Sequence, residues 1–201
     1  MPSIDTLVEQ ATAWSGAELL AVVMAILYLL LAIRENIWCW FCAAISTAIY
    51  VYLFAEARLY MESALNVFYF AMAVYGWQVW YRGARRDGSL AVSTWSPATH
   101  AVAVALIIAA SAASGTLLSI YTNAAYPYVD SLTTWGAIRA TFLVARKVLE
   151  NWWYWLVIDV ASIGIYWSRD LQLTSLLFAV YVVMIPFGLL AWRRSMREQR
   201  A

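Results

Sequence analysis

The chain has 201 residues, of which 64% are hydrophobic and only 12% are charged, whereas a soluble domain has about 45–50% apolar and about 25% charged residues. The formal net charge is +1, so the charge balance does not point to a nucleic-acid partner. The apolar residues fall in blocks long enough to cross hydrocarbon, which takes about 17–25 helical residues. The sequence therefore predicts an all-α integral membrane protein with no separate soluble domain.

Seven apolar blocks, taken in chain order, predict seven transmembrane helices. The first block should remain in the protein as a helix, because acidic residues and no basic region precede it, unlike a cleaved signal peptide. The longest polar stretch, 81–98, separates the third and fourth blocks. We expect a single transmembrane domain over residues 1–201. Its predicted spans are 17–33, 37–55, 60–80, 99–120, 131–148, 151–168 and 171–192.

The basic residues predict the orientation of these spans. If the N-terminus lies outside and the spans alternate, Arg58 and Arg169 face outward and Arg139 lies within a span. A strong excess of basic residues on one side marks the cytoplasmic side. We therefore expect a multi-pass protein of the inner (cytoplasmic) membrane, with the N-terminus outside and the C-terminus in the cytoplasm. The inward-facing basic residues are then Arg34, Arg82, Arg85, Arg86, Arg146, Lys147, Arg193, Arg194, Arg197 and Arg200.

A motif recurs in the two halves of the chain. Residues 35–40 read ENIWCW and residues 150–155 read ENWWYW, which aligns Trp40 with Trp155 at an offset of 115 residues. The third and seventh spans also match each other, but at an offset of 112 residues. We place the three-residue change of offset in the short outer loop that precedes each of these two spans.

The recurrence predicts an internal repeat. Spans one to three (about 17–80) should resemble spans five to seven (about 131–192), with a linker helix (about 99–120) between them. A shift of four spans restores the direction through the membrane, so the repeats are parallel. Parallel repeats joined in this three-plus-one-plus-three order, with a site between the halves, are typical of transporters. The alternative is a duplicated membrane scaffold that transports nothing.

Two ionisable residues lie near the middle of predicted spans, where charge is costly and usually functional. Asp159 is near the middle of span six and Arg139 near the middle of span five. The two could form a buried ion pair between adjacent spans. Alternatively, Asp159 faces a central cavity and attracts a cationic or hydrogen-bonding substrate, with Arg139 tuning it or lining the path.

Aromatic and polar residues complete the predicted substrate site. Trp155 lies four residues before Asp159 and shares its helix face, and Trp40 would approach from the other repeat to form a slot for a flat heterocycle, with cation–π attraction if the ring is cationic. The alternative for tryptophans is an interfacial belt, which fits Trp38, Trp80, Trp152 and Trp192 better. The full predicted set is Trp40, Asn66, Tyr69, Trp155, Asp159, Asn151, Asn36 and Tyr75.

Other motifs favour no enzyme, metal or cofactor. Cys39 and Cys42 have Cys-x-x-Cys spacing but lie in an apolar block, and the single histidine, His100, is far away in sequence; packing residues are the preferred interpretation. The sequence contains no phosphate-binding loop motif for ATP. A serine–histidine–aspartate arrangement would have to use His100, away from the central polar residues.

The motifs RENIWCW (34–40), ARLYMESALNVFYFAMAVYGWQVW (57–80) and RKVLENWWYWLVIDVAS (146–162) resemble the PnuC family of vitamin transporters. The resemblance covers about residues 17–192. It implies a SWEET-like bundle, facilitated diffusion of an unphosphorylated vitamin precursor, trapping by a cytoplasmic kinase and a homotrimer. The W-x-x-x-[ND] motif of the family site corresponds to Trp155 and Asp159 in the second half, and to Trp40 and Ala44 in the first.

The sequence differs at several positions from the family members that are associated with nicotinamide riboside. Such members tend to have asparagine at the positions of Ala44 and Asp159, glutamine at that of Asn66 and an apolar residue at that of Arg139. Thiamine and nicotinamide riboside are both flat cations, so a carboxylate suits either. Thiamine is slightly favoured because Asp159 could also accept a hydrogen bond from its aminopyrimidine. A sugar carrier and a non-transporting scaffold or receptor are the remaining alternatives.

Overall fold

The computed structural model describes residues 16–56, 60–122, 126–168 and 172–199. Within these ranges the chain forms seven α-helices, and its one strand-like feature is an isolated bridge between Ser93 and Val148. The seven predicted spans are thus confirmed as helices. They are α1 (Gly16–Ile33), α2 (Trp38–Glu56), α3 (Tyr60–Asp87), α4 (Pro97–Tyr121), α5 (Pro127–Ala145), α6 (Asn151–Ser168) and α7 (Gln172–Glu198).

The helices have the lengths that a membrane requires. An 18-residue helix rises about 27 Å, close to the ~30 Å of a hydrocarbon core. Among the described residues, α1, α2, α4 and residues 174–198 of α7 are both long enough and apolar enough to cross. The other three helices are also long enough but carry more polar side chains. Polar positions in such helices are therefore the places to look for function.

Three helices have boundaries that differ from the prediction for local reasons. Helix α5 covers Pro127–Ala145 rather than 131–148, because proline suits the first turn of a helix and a tight turn closes the other end. Helices α3 and α7 continue to Asp87 and Glu198. Their extra turns carry the arginines of the predicted inner side, so each helix leaves the apolar region before it ends.

The described chain divides into two compact units, and the division differs from that of the predicted repeats. Unit one comprises α1, α2, α3, residues 144–147 and α7 from Phe187 onward. Unit two comprises residues 93–143 and 148–186, which contain α4, most of α5, α6 and the first part of α7. In unit one, α1 packs on α2 and α2 packs on α3.

The core of unit one is a column of aromatic rings. Tyr28 lies 6.0 Å from Trp40, Trp40 lies 5.6 Å from Trp80 at an interplanar angle of 88°, and Trp80 lies 6.4 Å from Trp192, measured between ring centroids. Offset and edge-to-face pairs of this kind are the favoured aromatic contacts. A Cβ atom on Gly76 would lie 2.4 Å from the Trp40 ring. The absence of a side chain there allows Trp40 to pack directly on α3.

Two tryptophans of this column bind the backbone at helix ends. Trp80 Nε1 donates to the carbonyl of Ala145 at 3.2 Å, and Trp192 Nε1 donates to that of Ala32 at 3.0 Å. The last carbonyls of a helix have no partner within it. Trp80 provides a donor for that of Ala145, and Trp192 adds a second donor to that of Ala32, which also accepts from the Glu35 N–H. Trp80, Trp152 and Trp192 are buried, at 3%, 3% and 0% exposure, so the interfacial-belt interpretation of these three residues is wrong. Trp38, at 55% exposure, fits the belt.

Helices α1 and α5 each end in the same type of turn. Glu35 and Lys147 both have positive φ, 54° and 48°. At each turn the N–H of that residue donates to a carbonyl three residues back, and the next N–H donates to one five residues back. This is the Schellman motif, in which glycine usually occupies the left-handed position. The chain places one acidic and one basic side chain at these two equivalent positions.

These two side chains form an ion pair. Lys147 Nζ lies 2.7 Å from Glu35 Oε2, and the side chains are 4% and 17% exposed. The same ammonium lies 4.6 Å from the centroid of the Trp80 ring, which adds cation–π attraction. The ends of α1 and α5 are thus joined at the aromatic column.

The repeat has a constant offset of 112 residues. Ser63 donates to the carbonyl of Val51, and Ser175 donates to that of Ile163 in the same way. The ends of α1 and α5, and the left-handed residues Glu35 and Lys147 that follow them, are separated by the same number of residues. The predicted change of offset is therefore wrong, and the position equivalent to Trp40 is Trp152 rather than Trp155. The error arose because a shift of three residues nearly preserves a helix face.

Replacement of Gly76 by alanine should destabilise unit one, because the added methyl group overlaps the Trp40 ring. Overpacking of this kind costs about 1–3 kcal/mol, so we expect a melting temperature several degrees lower in detergent. Gly164→Ala is the matched control, since a Cβ at Gly164 meets nothing within 4 Å. Equal melting temperatures for the two variants would contradict the packing described.

Breaking the ion pair from one side should cost more than removing both charges. Lys147→Met or Glu35→Gln leaves a buried charge without its partner, and such losses are about 3–5 kcal/mol. We expect the double variant to lose less unfolding free energy than the sum of the losses in the two single variants. A double-mutant cycle on the unfolding free energy in bicelles measures this, and strict additivity would show that the pair is not coupled.

Candidate functional site

Asp159 is the centre of the candidate site in unit two. It lies at the middle of α6 (Asn151–Ser168) and is only 3% exposed. Among the described residues no hydrogen bond or ion pair reaches its carboxylate. A buried carboxylate without a partner costs several kcal/mol. Its position within a membrane-length helix makes it the strongest functional candidate in this unit.

The face of α6 around Asp159 is polar and aromatic. Asn151, Trp155 and Ser162 lie at helical spacing on the same side as Asp159. Asn151 is fully buried and Ser162 is 6% exposed, whereas Trp155 is half-buried. One face of α6 thus carries a carboxylate, an indole ring, an amide and a hydroxyl.

Close packing of α5 on α6 holds this face of α6 in place. A Cβ at Gly136 would lie 3.3 Å from the Ile158 side chain, so α5 and α6 approach closely one residue before Asp159. At the start of α6, Asn151 Nδ2 donates to the carbonyl of Val148 at 2.7 Å, while its Oδ1 is buried without a partner. That oxygen is an available acceptor for a bound molecule.

Arg139 does not pair with Asp159. The salt bridges within the described residues do not include it. Its guanidinium carbon instead lies 4.7 Å from the centroid of the Trp95 ring and 6.0 Å from that of Phe142. Because α5 ends earlier than predicted, Arg139 is six residues from the end of the helix rather than mid-span. The ion-pair interpretation of these two residues is wrong.

Trp95 belongs to a polar cluster that the sequence did not reveal. Its backbone N–H donates to Glu150 Oε2 at 3.3 Å. His100 Nδ1 lies 3.0 Å from the Tyr154 hydroxyl, and His100 Nε2 lies 3.7 Å from Glu150 Oε2. The cluster joins the starts of α4 and α6. No sequence motif marked it, since Trp95 lies in the polar stretch between two apolar blocks.

The predicted site residues of unit one have mixed surroundings. Trp40 is 2% exposed and its Nε1 is buried without a partner. Asn36 is exposed, and its Oδ1 accepts from the backbone N–H of Trp38 at 3.0 Å, as a helix N-cap does. Tyr75 is half-buried and its hydroxyl lies 3.5 Å from Arg146 Nη1. Asn36 and Tyr75 thus have structural partners, whereas the Trp40 indole N–H has none.

The remaining two predicted residues lie on α3. Asn66 and Tyr69 are half-buried, three residues apart on one face, and each already takes part in a contact within the chain. Both cysteines are free and buried. In the part of the chain that the structure describes, no group of three or more histidine, cysteine or acidic residues could hold a metal ion.

These features define a polytopic helical membrane protein with a buried carboxylate in a membrane-length helix. A family model described as nicotinamide mononucleotide transporter matches residues 15–194. The chain belongs to this family, and the resemblance to PnuC transporters that its motifs indicated is confirmed. It is therefore a membrane transporter rather than an enzyme.

Characterised relatives match nearly the whole chain. The riboflavin/roseoflavin transporter RibM of Streptomyces davaonensis is 24% identical over 200 residues, which cover 96% of this chain and 92% of the relative. The nicotinamide riboside transporter PnuC of Escherichia coli is 25% identical over 213 residues, covering 92% and 88%. The crystal structure of the vitamin B3 transporter PnuC matches with a TM-score of 0.75 at 19% identity, covering 97% and 90%. This last match shows a shared fold.

Substitutions of Arg139 and Asp159 should act independently, because no ion pair joins them. We expect the unfolding free-energy changes of Arg139→Gln and Asp159→Asn to add within about 0.5 kcal/mol in the double variant. The Glu35 and Lys147 cycle serves as the positive control for coupling. A coupling energy in the Arg139 and Asp159 cycle as large as in that control would restore the ion-pair interpretation.

Proposed function

We propose that the protein takes up an unphosphorylated cationic vitamin precursor by facilitated diffusion, with thiamine slightly favoured over nicotinamide riboside. The observation that carries the proposal is Asp159, a buried carboxylate that no described residue neutralises. A flat organic cation would supply the missing positive charge.

The surroundings of Asp159 suit such a cargo. The Trp155 indole, one turn away, offers a ring face to a heterocyclic cation, worth about 0.5–2 kcal/mol of cation–π attraction. The free Oδ1 of Asn151 and the hydroxyl of Ser162 can hydrogen-bond to amino or hydroxyl groups of the cargo. Trp40, Asn66, Tyr69, Tyr75 and Asn36 remain proposed contributors from unit one.

The choice between the two cations depends on hydrogen bonding. Thiamine carries a cationic thiazolium ring and an aminopyrimidine, and Asp159 could accept from its amino group as well as neutralise the charge. Nicotinamide riboside carries a cationic pyridinium ring, and the Escherichia coli relative named for it supports this second candidate. A sugar is a weaker candidate, since a neutral molecule would leave the charge of Asp159 uncompensated.

Two features of the sequence support facilitated diffusion as the proposed mode of transport. The sequence has no phosphate-binding loop for ATP, and Asp159 is the single carboxylate near the middle of a predicted span, so a carboxylate relay for protons has no second mid-span member. We propose that a cytoplasmic vitamin kinase traps the cargo by phosphorylation. We further propose an inner-membrane homotrimer, with the N-terminus outside and the C-terminus in the cytoplasm.

Titration of intrinsic tryptophan fluorescence in the purified protein should separate the candidate cargoes. We expect saturable quenching by thiamine, a weaker response to nicotinamide riboside and none to a sugar, with riboflavin as a further comparison. Asp159→Asn removes the charge but keeps the shape, and a hydrogen-bonded charge contributes about 1.5–3 kcal/mol. Thiamine binding should therefore weaken about 10- to 100-fold.

The control is Glu198→Gln, which makes the same chemical change at an exposed carboxylate and should bind thiamine normally. Tighter binding of nicotinamide riboside than of thiamine would overturn the favoured cargo but keep the role of Asp159. Uptake of labelled thiamine and of labelled nicotinamide riboside that both stay at background in vesicles would reject the proposal.

A further inference from the structure

We propose that α3 carries a binding site for the headgroup of an anionic phospholipid at its arginine-rich end. The site, which we call the α3 groove, has a volume of about 520 Å³ and is lined by Trp77, Gln78, Tyr81, Arg82 and Arg85. The proposal rests on the membrane assignment of the chain, not on the identity of the cargo.

The spacing of the lining residues places them on one helix face. Positions 77, 78, 81, 82 and 85 follow the three- and four-residue intervals of an α-helix, so Arg82 and Arg85 are neighbours and Arg85 lies one turn beyond Tyr81. Both arginines are exposed. A planar guanidinium group binds phosphate through two parallel hydrogen bonds. Two such groups on adjacent turns form a receptor for a phosphate diester.

The charge of the two arginines has no carboxylate partner among the described residues. Arg194 pairs with Glu198 at 2.8 Å and Lys147 pairs with Glu35, whereas Arg82 and Arg85 form no ion pair there. Arg85 lies with its guanidinium carbon 5.8 Å from the Tyr81 ring centroid. This contact holds the guanidinium beside the groove without neutralising it, so the groove is complementary to an anion.

An aromatic surface next to the groove matches the region where lipid headgroups begin. Trp38 lies 5.4 Å from Trp77 and 5.6 Å from Phe41, in edge-to-face contacts between ring centroids. Trp38, Phe41 and Tyr81 are 55%, 50% and 50% exposed. Tryptophan and tyrosine concentrate at membrane interfaces, and basic residues just beyond them attract anionic lipids. The rings would contact the glycerol and upper acyl carbons of a lipid whose phosphate binds the arginines.

The test titrates the purified full-length protein, in a zwitterionic detergent, with short-chain phosphatidylglycerol, and compares it by calorimetry with short-chain phosphatidylcholine and with inorganic phosphate. We expect saturable binding of phosphatidylglycerol and much weaker binding of the other two. The double variant Arg82→Gln/Arg85→Gln should bind phosphatidylglycerol roughly 30-fold more weakly, given the usual contribution of a basic residue near anionic lipid.

The matched control is Arg193→Gln/Arg197→Gln, which removes the same charge from exposed positions of α7. This variant should retain wild-type binding, and circular dichroism with the melting temperature establishes that both double variants are folded. Equal losses in the two variants would overturn the proposal in favour of a diffuse surface charge. Binding of inorganic phosphate as tight as that of the lipid, or no binding of phosphatidylglycerol, would also overturn it. The thiamine titration tests a separate proposal, because lipid binding at the α3 groove does not depend on which cargo the protein carries.

Discussion

The ion pair between Glu35 and Lys147 is the interaction on which the packing of unit one depends. It joins the last turns of α1 and α5, both of which end in a left-handed residue that would ordinarily be glycine. The Lys147 ammonium also lies over Trp80, and Trp80 in turn packs against Trp40 and caps the carbonyl of Ala145. The Lys147 charge and the carbonyl at the end of α5 therefore both find partners beside the aromatic column. In a membrane protein, unpaired polar groups at such a place would be costly.

The interaction partners of the buried charged side chains distinguish structural charges from a candidate functional one. Lys147 has a carboxylate and a ring, and Arg139 has the face of Trp95. Asp159 has no such partner among the described residues, although it is as deeply buried as Lys147. A protein can retain an uncompensated buried carboxylate when a bound molecule supplies the opposite charge. The contrast between these residues therefore makes Asp159 a stronger candidate for a binding role than its position alone does.

Apolar block length predicted the seven helices well, because hydrocarbon thickness constrains length and composition together. The register of the repeat was harder to predict. ENIWCW and ENWWYW align at an offset of 115 residues, whereas the equivalent backbone turns are 112 residues apart. The Schellman turns at Glu35 and Lys147 show the true offset, but neither contains the glycine that would have marked it in the sequence. For the candidate site, charge near the middle of a span was enough to single out Asp159, whose role in binding stays a prediction. The stacking of Arg139 on Trp95 could not be predicted. Trp95 lies in the loop before α4, and this loop has no periodic sequence pattern from which its conformation could be inferred.

The opposite charges at the two equivalent turns also limit how this architecture can be assembled. If two identical half-length chains formed the same bundle, both copies of the turn would present the same side chain. Two glutamates or two lysines would then face each other in a poorly solvated position, and their repulsion would oppose assembly. The contact between Glu35 and Lys147 requires halves that differ from each other. A split version built from one half alone should therefore fail, whereas co-expression of both different halves keeps the contact available.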